Sequence, residues 1–251
     1  MTAAYFDSWF ADIARSAARQ QLFTEVLQLP PEVGPSNTVP LDGLVEVGET
    51  LAVAAEGLLV DVACGRGGPG MWLARSAGTS LWGVDFSAEA VAQATARRDL
   101  FGLESRARFT VGSLEATGLP DSAADGLVCV DAFQFASDGS AAAAELRRVL
   151  RPGGRVVMTS WEAIDPTDEA LGERIRRNDM EGALRSAGFA DIEVRERPEW
   201  HEAARRLWQR SLELDAAGDP AIESTQNEGR RSLENHDKMR RLLVTAVRPI
   251  G

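Results

Sequence analysis

One stretch of the chain combines residue types that suit the binding of a small charged molecule. Residues 58–62 are apolar apart from Asp61, and the glycine-rich residues 65–70 follow and lead into an alanine- and leucine-containing segment. This order predicts a buried strand, a tight turn and the N-terminus of a helix. Glycines allow positive φ and a close approach of ligand to backbone, and a helix N-terminus offers free N–H groups. We therefore expect a small ligand on this loop.

The glycine pattern by itself is compatible with two kinds of ligand. Gly65, Gly67 and Gly70 fit the G-x-G-x-x-G pattern of dinucleotide sites, and Asp85 follows at about the spacing of a ribose-binding acid. Asp61, however, places a carboxylate at the end of the strand, where it would repel a pyrophosphate. S-adenosylmethionine (SAM) carries a sulfonium and an ammonium group and no phosphate, and it has a ribose diol for Asp85. The charges therefore favour SAM.

Four motifs in order across residues 58–160 resemble those of the class I SAM-dependent methyltransferases. The first motif of that family reads acid-x-Gly-x-Gly-x-Gly, and residues 61–67 match it except that Ala63 replaces the first glycine. The other three motifs are residues 81–87, 109–114 and 150–157. The resemblance is to the ubiquinone/menaquinone-type and bacterial small-molecule branch of the family.

This resemblance implies which residues hold the cofactor. Asp85 is expected at the ribose, and Ser113 stands where the family commonly has an acid that accepts from the adenine amine. Asp131 and Gln134 are expected near the transferable methyl, where they touch the SAM ammonium or position the acceptor. The full set of predicted cofactor-binding residues is Phe6, Trp9, Asp61, Ala63, Gly65, Gly67, Asp85, Phe86, Gly112, Ser113, Leu114, Asp131 and Gln134.

Residues 4–28 carry apolar side chains at helical spacing, with Tyr5, Phe6 and Trp9 near the start. One interpretation is a helix packed on the core. The other, suggested by the resemblance, is a cover whose aromatic rings exclude water and face the sulfonium. We expect an N-terminal helical cover over residues 1–56 and a SAM-binding Rossmann-like domain over residues 57–251.

The remaining pattern predicts an α/β fold with a Rossmann-like, doubly wound sheet. The sheet is expected to be mostly parallel and to have helices on both faces, and the resemblance implies that the final strand is antiparallel. Residues 160–177 are expected to form a long polar connection beside the acceptor, and residues 219–241 a solvated helix. Further strands are predicted at residues 80–84, 106–111, 126–130, 155–159, 192–194 and 242–247, and further helices at 41–55, 87–102, 139–150, 178–188 and 199–217.

The expected activity is transfer of the SAM methyl group to a small-molecule acceptor, in secondary metabolism, which leaves S-adenosylhomocysteine. The transfer is a direct displacement, so the protein holds the acceptor in line and, for a hydroxyl acceptor, removes its proton. His201 and Asp131 are the candidate general bases. An amine or a carbanion-like carbon would need no dedicated base.

Composition narrows the range of partners. The 251 residues carry a net charge of −11, which disfavours nucleic acid and anionic membranes as partners. Two cysteines and two histidines make a disulfide framework or a zinc site improbable, so no metal is expected. Neither a signal peptide nor a stretch of transmembrane length is present in the sequence, so a cytoplasmic location is expected. The scarcity of lysine suggests a GC-rich bacterial genome.

Two other functions fit parts of the pattern. An NAD(P) oxidoreductase of the short-chain type would need a tyrosine a few residues before a lysine, and Tyr5 and Lys238, the sole residues of these two types, are far apart. The second alternative is a SAM-binding protein of the same fold, such as a cyclase or a ligand-binding protein, in which SAM is structural. Turnover of SAM to S-adenosylhomocysteine distinguishes this alternative from a methyltransferase.

Overall fold

A single mixed sheet forms the centre of the protein, for which a computed structural model describes residues 2–34 and 36–250. The described strands run in the order β3-β2-β1-β4-β5-β7-β6. β7 is antiparallel to both of its neighbours, and the other pairs are parallel, as the sequence predicted. The strands are β1 Leu58–Val62, β2 Ser80–Asp85, β3 Ala107–Val111, β4 Ala124–Val130, β5 Leu150–Ala163, β6 Ala190–Glu196 and β7 Met239–Val247.

Helices cover both faces of this sheet. Alternate strand residues enter different cores: Leu59 packs with the helices of one face and Val60 with those of the other, because successive side chains of a strand point in opposite directions. The described helices are α1 Ala3–Arg15, α2 Ala17–Leu27, α3 Leu41–Leu51, α4 Gly68–Ala77, α5 Ala88–Ala96, α6 Gly139–Val149, α7 Glu173–Arg176, α8 Met180–Ser186, α9 Pro198–Leu212 and α10 Pro220–Glu234.

The first core contains residues of α2, α3, α4 and α9, and the second contains residues of α6 and α8. The predicted doubly wound α/β fold is therefore confirmed.

The N-terminal segment differs from the predicted single helix over residues 4–28. The chain leaves helical geometry at Ser16, whose hydroxyl accepts from the Arg19 N–H at 3.1 Å and so caps α2. The same hydroxyl donates to Asp219 at 2.6 Å, which attaches the α1–α2 junction to the start of α10. The helix therefore breaks at a capping serine that is also held by a residue far away in the chain.

Two further predictions about elements were wrong in part. Ser160 and Trp161, expected in a connection, lie in β5 and pair with Leu242 and Arg241 of β7, so the connection begins only after Ala163. Likewise, α10 is not fully solvated. It buries Ile222 and three small residues that contribute little to a hydrophobic pattern, namely Ala221, Thr225 and Gly229, against neighbouring helices that include α1, α2 and α9.

Two properties of the described residues bear on possible partners. None of the described helices has both the length and the apolar character that crossing a bilayer requires. Within residues 2–34 and 36–250, no group of three His, Cys, Asp or Glu side chains is arranged to hold a metal ion. Cys64 and Cys129 are both buried free thiols.

Candidate active site

The carboxyl ends of β1, β2 and β4 meet at one edge of the sheet, because these strands are adjacent and parallel. The glycine loop, which we define as residues 63–67, leaves β1 at this edge. The Gly65 N–H donates to the Asp85 carboxylate at 2.7 Å, and the other carboxylate oxygen accepts from the Ser87 N–H at 2.9 Å. Asp85 therefore connects the glycine loop to the start of α5. A carboxylate oxygen has more than one lone pair, so both oxygens retain capacity for a ligand hydroxyl.

Asp61 lies beneath the glycine loop, against the first turn of α4. A Cβ atom on Gly70 would lie 2.3 Å from Asp61 Oδ2, so this glycine leaves room for the carboxylate. Burial and repulsion from Asp85 raise the pKa of Asp61 to about 8, while a hydrogen bond from the Gly70 N–H opposes the increase. Burial also raises the pKa of Asp85. A bound cation would therefore stabilise the ionised forms of both acids, whereas a pyrophosphate would destabilise them further.

The backbone of the glycine loop is left-handed at three positions. Gly65 has φ +53° and Gly67 has φ +74°, and Ala63, which stands where the resembled family has glycine, has φ +57°. A Cβ atom on Gly65 would lie 3.0 Å from the Ser36 hydroxyl and 3.3 Å from the Phe10 ring. The loop thus needs glycine for its conformation, and it lies directly beneath the N-terminal segment.

The predicted adenine-binding residues lie beside the end of β2. The Gly112 N–H donates to the Asp85 carbonyl at 3.0 Å, and the Ser113 hydroxyl accepts from the Ala116 N–H at 3.1 Å. Leu114 is 7% exposed and packs in the second core, and Phe86 faces α1. Gly112 and Phe86 are therefore next to Asp85, Ser113 and Leu114 follow Gly112 in the chain, and contact with adenine stays a prediction.

α1 spans the space between the ends of β2 and β4. The centroid of the Phe6 ring lies 5.1 Å from that of Phe86 and 5.5 Å from that of Phe135. It also lies 6.0 Å from the centroid of the Trp9 ring. Asp7 accepts from the Ser87 hydroxyl and so holds α1 on the first turn of α5. The aromatic residues of the predicted cover thus lie at the strand ends.

Asp131 is part of a buried ion pair. Arg241 of β7, which has no exposed side-chain surface, donates to both Asp131 oxygens at 2.6 and 3.1 Å. The same carboxylate accepts from the Thr159 hydroxyl at 2.8 Å and from the Thr38 N–H at 3.1 Å. Asp131 thereby joins the ends of β4, β5 and β7 to the loop that precedes α3, and these partners occupy its lone pairs.

Gln134 lies at the start of a cleft beside the strand ends. Its Oε1 accepts from the Ser160 hydroxyl, which also accepts from the Asn178 amide at 2.9 Å. The cleft has a volume of about 310 Å³ and lies between residues 133–139 and residues 174–179, with Arg174 and Gln134 on its walls. Gln134 is therefore accessible from this cleft and oriented by β5.

His201 lies on α9, away from the Asp131 carboxylate. Its ring is 3.6 Å from that of His236 and 5.3 Å from that of Trp161, measured between centroids, and its Nε2 contacts the His236 carbonyl at 3.1 Å. Trp161 in turn contacts Arg241, which binds Asp131. Burial and the second histidine lower the pKa of His201. His201 is therefore connected to the strand ends through Trp161 and Arg241.

Two residues near the site were not found from the sequence. Arg241 was assigned to the predicted solvated helix over residues 219–241, but it lies in β7 and its side chain has no exposed surface. Arg174 lies in a segment that was interpreted as a polar connection, and no local pattern distinguishes it from a surface residue. The position of Arg174 depends on the packing of α7 against β5 and against residues 133–135 after β4.

The chain is similar to methyltransferases in sequence. Residues 60–158 match the family described as "Methyltransferase domain". Methyltransferase GfsG of Streptomyces halstedii is 31% identical over 126 residues, which cover 47% of this chain and 45% of that protein. The chain therefore spans about half of the length of this curated relative and about a third of the length of another that it matches.

Solved structures share the fold. A phosphoethanolamine N-methyltransferase 2 of Haemonchus contortus, in complex with S-adenosylhomocysteine, has a TM-score of 0.74 at 18% identity and covers 92% of this chain and 57% of its own. The [4+2]-cyclase SpnF has a TM-score of 0.68 at 24% identity and covers 83% of this chain and 80% of its own. At these identities the structural likeness shows the fold alone.

Proposed function

Because residues 60–158 match the family described as "Methyltransferase domain", we propose that the chain is a class I SAM-dependent enzyme that transfers the methyl group of SAM to a small-molecule acceptor. The observation that carries this proposal is the pair of buried acids at the carboxyl edge of the sheet. Asp61 and Asp85 are 2% and 3% exposed, and Gly65 and Gly70 bring the backbone against them. A cationic nucleoside fits this arrangement, and a pyrophosphate does not.

The residues of the site divide into two groups in this proposal. Asp85 and Phe86 would hold the nucleoside, and Asp61 would face its positive charges from beneath the glycine loop. The bound SAM supplies an activated methyl group. Phe6 and Phe135 would exclude water from the acceptor side, and the ion pair of Asp131 with Arg241 would fix the strand ends on which the acceptor rests.

We assign residues 1–56 to a cover and residues 57–251 to the catalytic domain. The support is that α1 contacts α5 and α10, and that Thr38 and Ser36 of the following loop approach Asp131 and Gly65. The cytoplasmic location and an origin in secondary metabolism stay predictions. Among the alternatives, a cyclase with structural SAM is less favoured, because the sequence match is to methyltransferases.

Calorimetry and product analysis test the proposal. We expect purified protein to bind SAM and S-adenosylhomocysteine, and to form S-adenosylhomocysteine when hydroxyl, amine and activated-carbon acceptors are supplied with SAM. Binding of NAD(H) in place of SAM would contradict the cofactor assignment. Tight SAM binding without turnover of any acceptor would support the alternative in which SAM is structural.

A further inference from the structure

The cleft beside the strand ends contains two hydrogen-bond donors for which the described residues supply no acceptor. We propose that this cleft binds the carboxylate of a small acceptor, and that Arg174 and Gln134 hold it. The carboxylate orients the acceptor, and another group of the same molecule receives the methyl. This inference rests on the proposed methyltransferase function and deepens it, because it names the substrate class.

Arg174 supplies a charged donor to one wall of the cleft. Its guanidinium lies 4.4 Å from the centroid of the Phe135 ring. Within residues 2–34 and 36–250 it forms no hydrogen bond and no ion pair, although its side chain is half-buried. Burial lowers the pKa of Arg174, while the negative charge of Glu228 opposes the decrease. A guanidinium has five N–H donors in a fixed planar arrangement, so those of Arg174 are available to a bound ligand.

The second donor is the Gln134 amide, whose orientation is fixed by a chain of hydrogen bonds. Asn178 Nδ2 donates to the Trp161 carbonyl at 2.8 Å and to the Ser160 hydroxyl at 2.9 Å. Ser160 therefore uses its own proton to donate to Gln134 Oε1. The carbonyl side of this amide is thus engaged, and its Nε2 has no acceptor in the described part of the chain. Gln134 and Arg174 both line the cleft, so donors face it from two walls.

The other charged residues that line the cleft are engaged by the protein itself. Asp138 accepts from two N–H groups in the first turn of α6, at 2.9 and 3.0 Å, and Asp179 accepts from one in the first turn of α8, at 2.8 Å. Arg177 is paired with Glu173 at 3.4 Å. Because the two helix N-termini already have acidic caps, a ligand anion would meet the two side-chain donors instead.

The charge and the size of the cleft favour a carboxylate over a phosphate. Its lining includes two arginines and two aspartates, which leaves no excess of positive charge to bind a dianion. A planar carboxylate can accept two parallel hydrogen bonds from one guanidinium. The volume of about 310 Å³ suits a small molecule. A small monocarboxylate therefore matches the donors, the charge and the volume.

Aromatic contacts connect the cleft to the proposed cofactor site. Phe135, on which the Arg174 guanidinium lies, is 37% exposed. Its ring centroid is 5.5 Å from that of Phe6, which is 5.1 Å from that of Phe86, the residue after Asp85. An acceptor whose carboxylate is bound at Arg174 can therefore place its remaining atoms along Phe135 and Phe6. Binding energy at the carboxylate would then orient the reacting group toward the methyl.

The test measures the binding of matched acids and amides by calorimetry. The probes are benzoate, phenylacetate and cyclohexanecarboxylate, and each is compared with its own neutral carboxamide. The protein is titrated both with saturating S-adenosylhomocysteine and without it. We expect at least one acid to bind more tightly than its amide by about tenfold or more, because charge-assisted hydrogen bonds are about twice as strong as neutral ones. This preference should decrease as NaCl is added.

Two variants assign the preference to Arg174. Arg174→Gln should abolish it, and Arg174→Lys should keep part of it, because lysine retains the charge without the planar pair of donors. The matched control is Arg185→Gln on α8, which removes an exposed arginine paired with Glu181 and should leave the preference unchanged. Thermal unfolding verifies the fold of each variant, and Arg174→Gln should have a Tm close to that of the wild type.

The possible outcomes separate this inference from the proposed function. Equal affinities of every acid and its amide, or a preference for the acid that persists in Arg174→Gln, would overturn the inference alone. Tighter binding of phenyl phosphate than of all three acids would overturn the choice of a carboxylate. Failure of SAM and S-adenosylhomocysteine to bind would instead overturn the proposed function, and the titrations without cofactor measure acid binding independently of that result.

Discussion

Two buried carboxylates at the same sheet edge have different surroundings. Asp85 accepts two backbone N–H groups, from Gly65 and Ser87, which compensate in part for its burial. Asp61 has the Gly70 N–H as its stabilising contact and has Asp85 as a like-charged neighbour. Asp85 is therefore both a structural and a binding residue, whereas Asp61 is held in a position that its own ionisation disfavours.

Replacement of Asp85 separates these two roles. Asp85→Ala should weaken SAM binding by about tenfold or more and also destabilise the fold, because two buried N–H groups lose their acceptor, at about 1–3 kcal/mol each. Asp85→Asn keeps one acceptor oxygen and should lose less stability for a similar loss of affinity. Calorimetry with SAM and thermal unfolding measure the two effects. Unchanged SAM affinity in both variants would contradict the ribose assignment.

Asp61 should make stability depend on pH. The pKa of Asp61 is about 8 in the folded protein and 3.8 for an unperturbed aspartate, so between pH 3.8 and about pH 8 the folded state binds more protons than the unfolded state. Stability contributed by the protonated group is therefore lost as the pH rises through this range. We expect Asp61→Asn to raise Tm at pH 8 relative to the wild type, with a smaller gain at pH 5, and to weaken SAM binding.

The matched control is Asp125→Asn. Asp125 accepts from the Leu58 N–H at the other end of β1, and its carboxylate is paired with Arg151, so the change should lower Tm rather than raise it. A Tm difference between wild type and Asp61→Asn that does not vary with pH would show that the carboxyl titrates near its ordinary value.

At the level of elements, the connection from β1 to α4 concentrates the backbone strain of the site. Ala63, Gly65 and Gly67 all adopt positive φ, and α4 begins at Gly68, where a Cβ atom would lie 1.8 Å from the Val33 carbonyl oxygen. The turn is thus compressed between the sheet and the loop before α3. Ala63 is the residue in this turn that pays a steric cost for its conformation.

Ala63→Gly is therefore expected to preserve the site and to stabilise it slightly. The left-handed conformation costs an L-residue about 1–2 kcal/mol, and the greater unfolded-state entropy of glycine cancels about 0.4–1 kcal/mol of the gain. We expect an increase of up to about 1 kcal/mol in the free energy of unfolding, measured by urea denaturation. Ala52→Gly, at another alanine with positive φ but outside the site, should give a similar gain without altering SAM affinity.

At the scale of the whole molecule, the N-terminal segment is attached to three distant parts of the chain. Asp7 accepts from Ser87 of the α5 cap, Ser16 donates to Asp219 of the α10 cap, and the Thr38 N–H donates to Asp131. The Asp131 carboxylate of this third attachment also binds the buried Arg241. One buried ion pair therefore connects the cover, the parallel half of the sheet and the antiparallel strand.

Removal of one partner from this centre should have a large effect. Arg241→Met leaves the Asp131 carboxylate buried without its cation, and we expect a loss of about 3–5 kcal/mol in the free energy of unfolding. The double variant Asp131→Leu/Arg241→Met should recover part of that loss, because no uncompensated charge remains. Urea denaturation of the two single variants and the double variant measures the coupling. Additive losses would show that the pair contributes little as a pair.

The sequence by itself determined the features that depend on local order. Apolar runs, glycine positions and caps such as Ser87 fixed the strands, the glycine loop and the helix starts, because their causes lie within a few residues of each other. The acids at the ends of β1 and β2 followed from parallel pairing, since such strands bring their carboxyl ends to one edge.

The tertiary structure decided the features that depend on residues far apart in the chain. Arg241 reaches Asp131 across 110 positions, and the Ser16 hydroxyl that interrupts the first helix finds Asp219 across 203. Thr225 looks like a surface residue in a polar helix and becomes buried only when α10 packs against α1, α2 and α9. Small residues create that packing face, and their low hydrophobicity leaves little periodic signal, so only the folded chain shows which side chains meet.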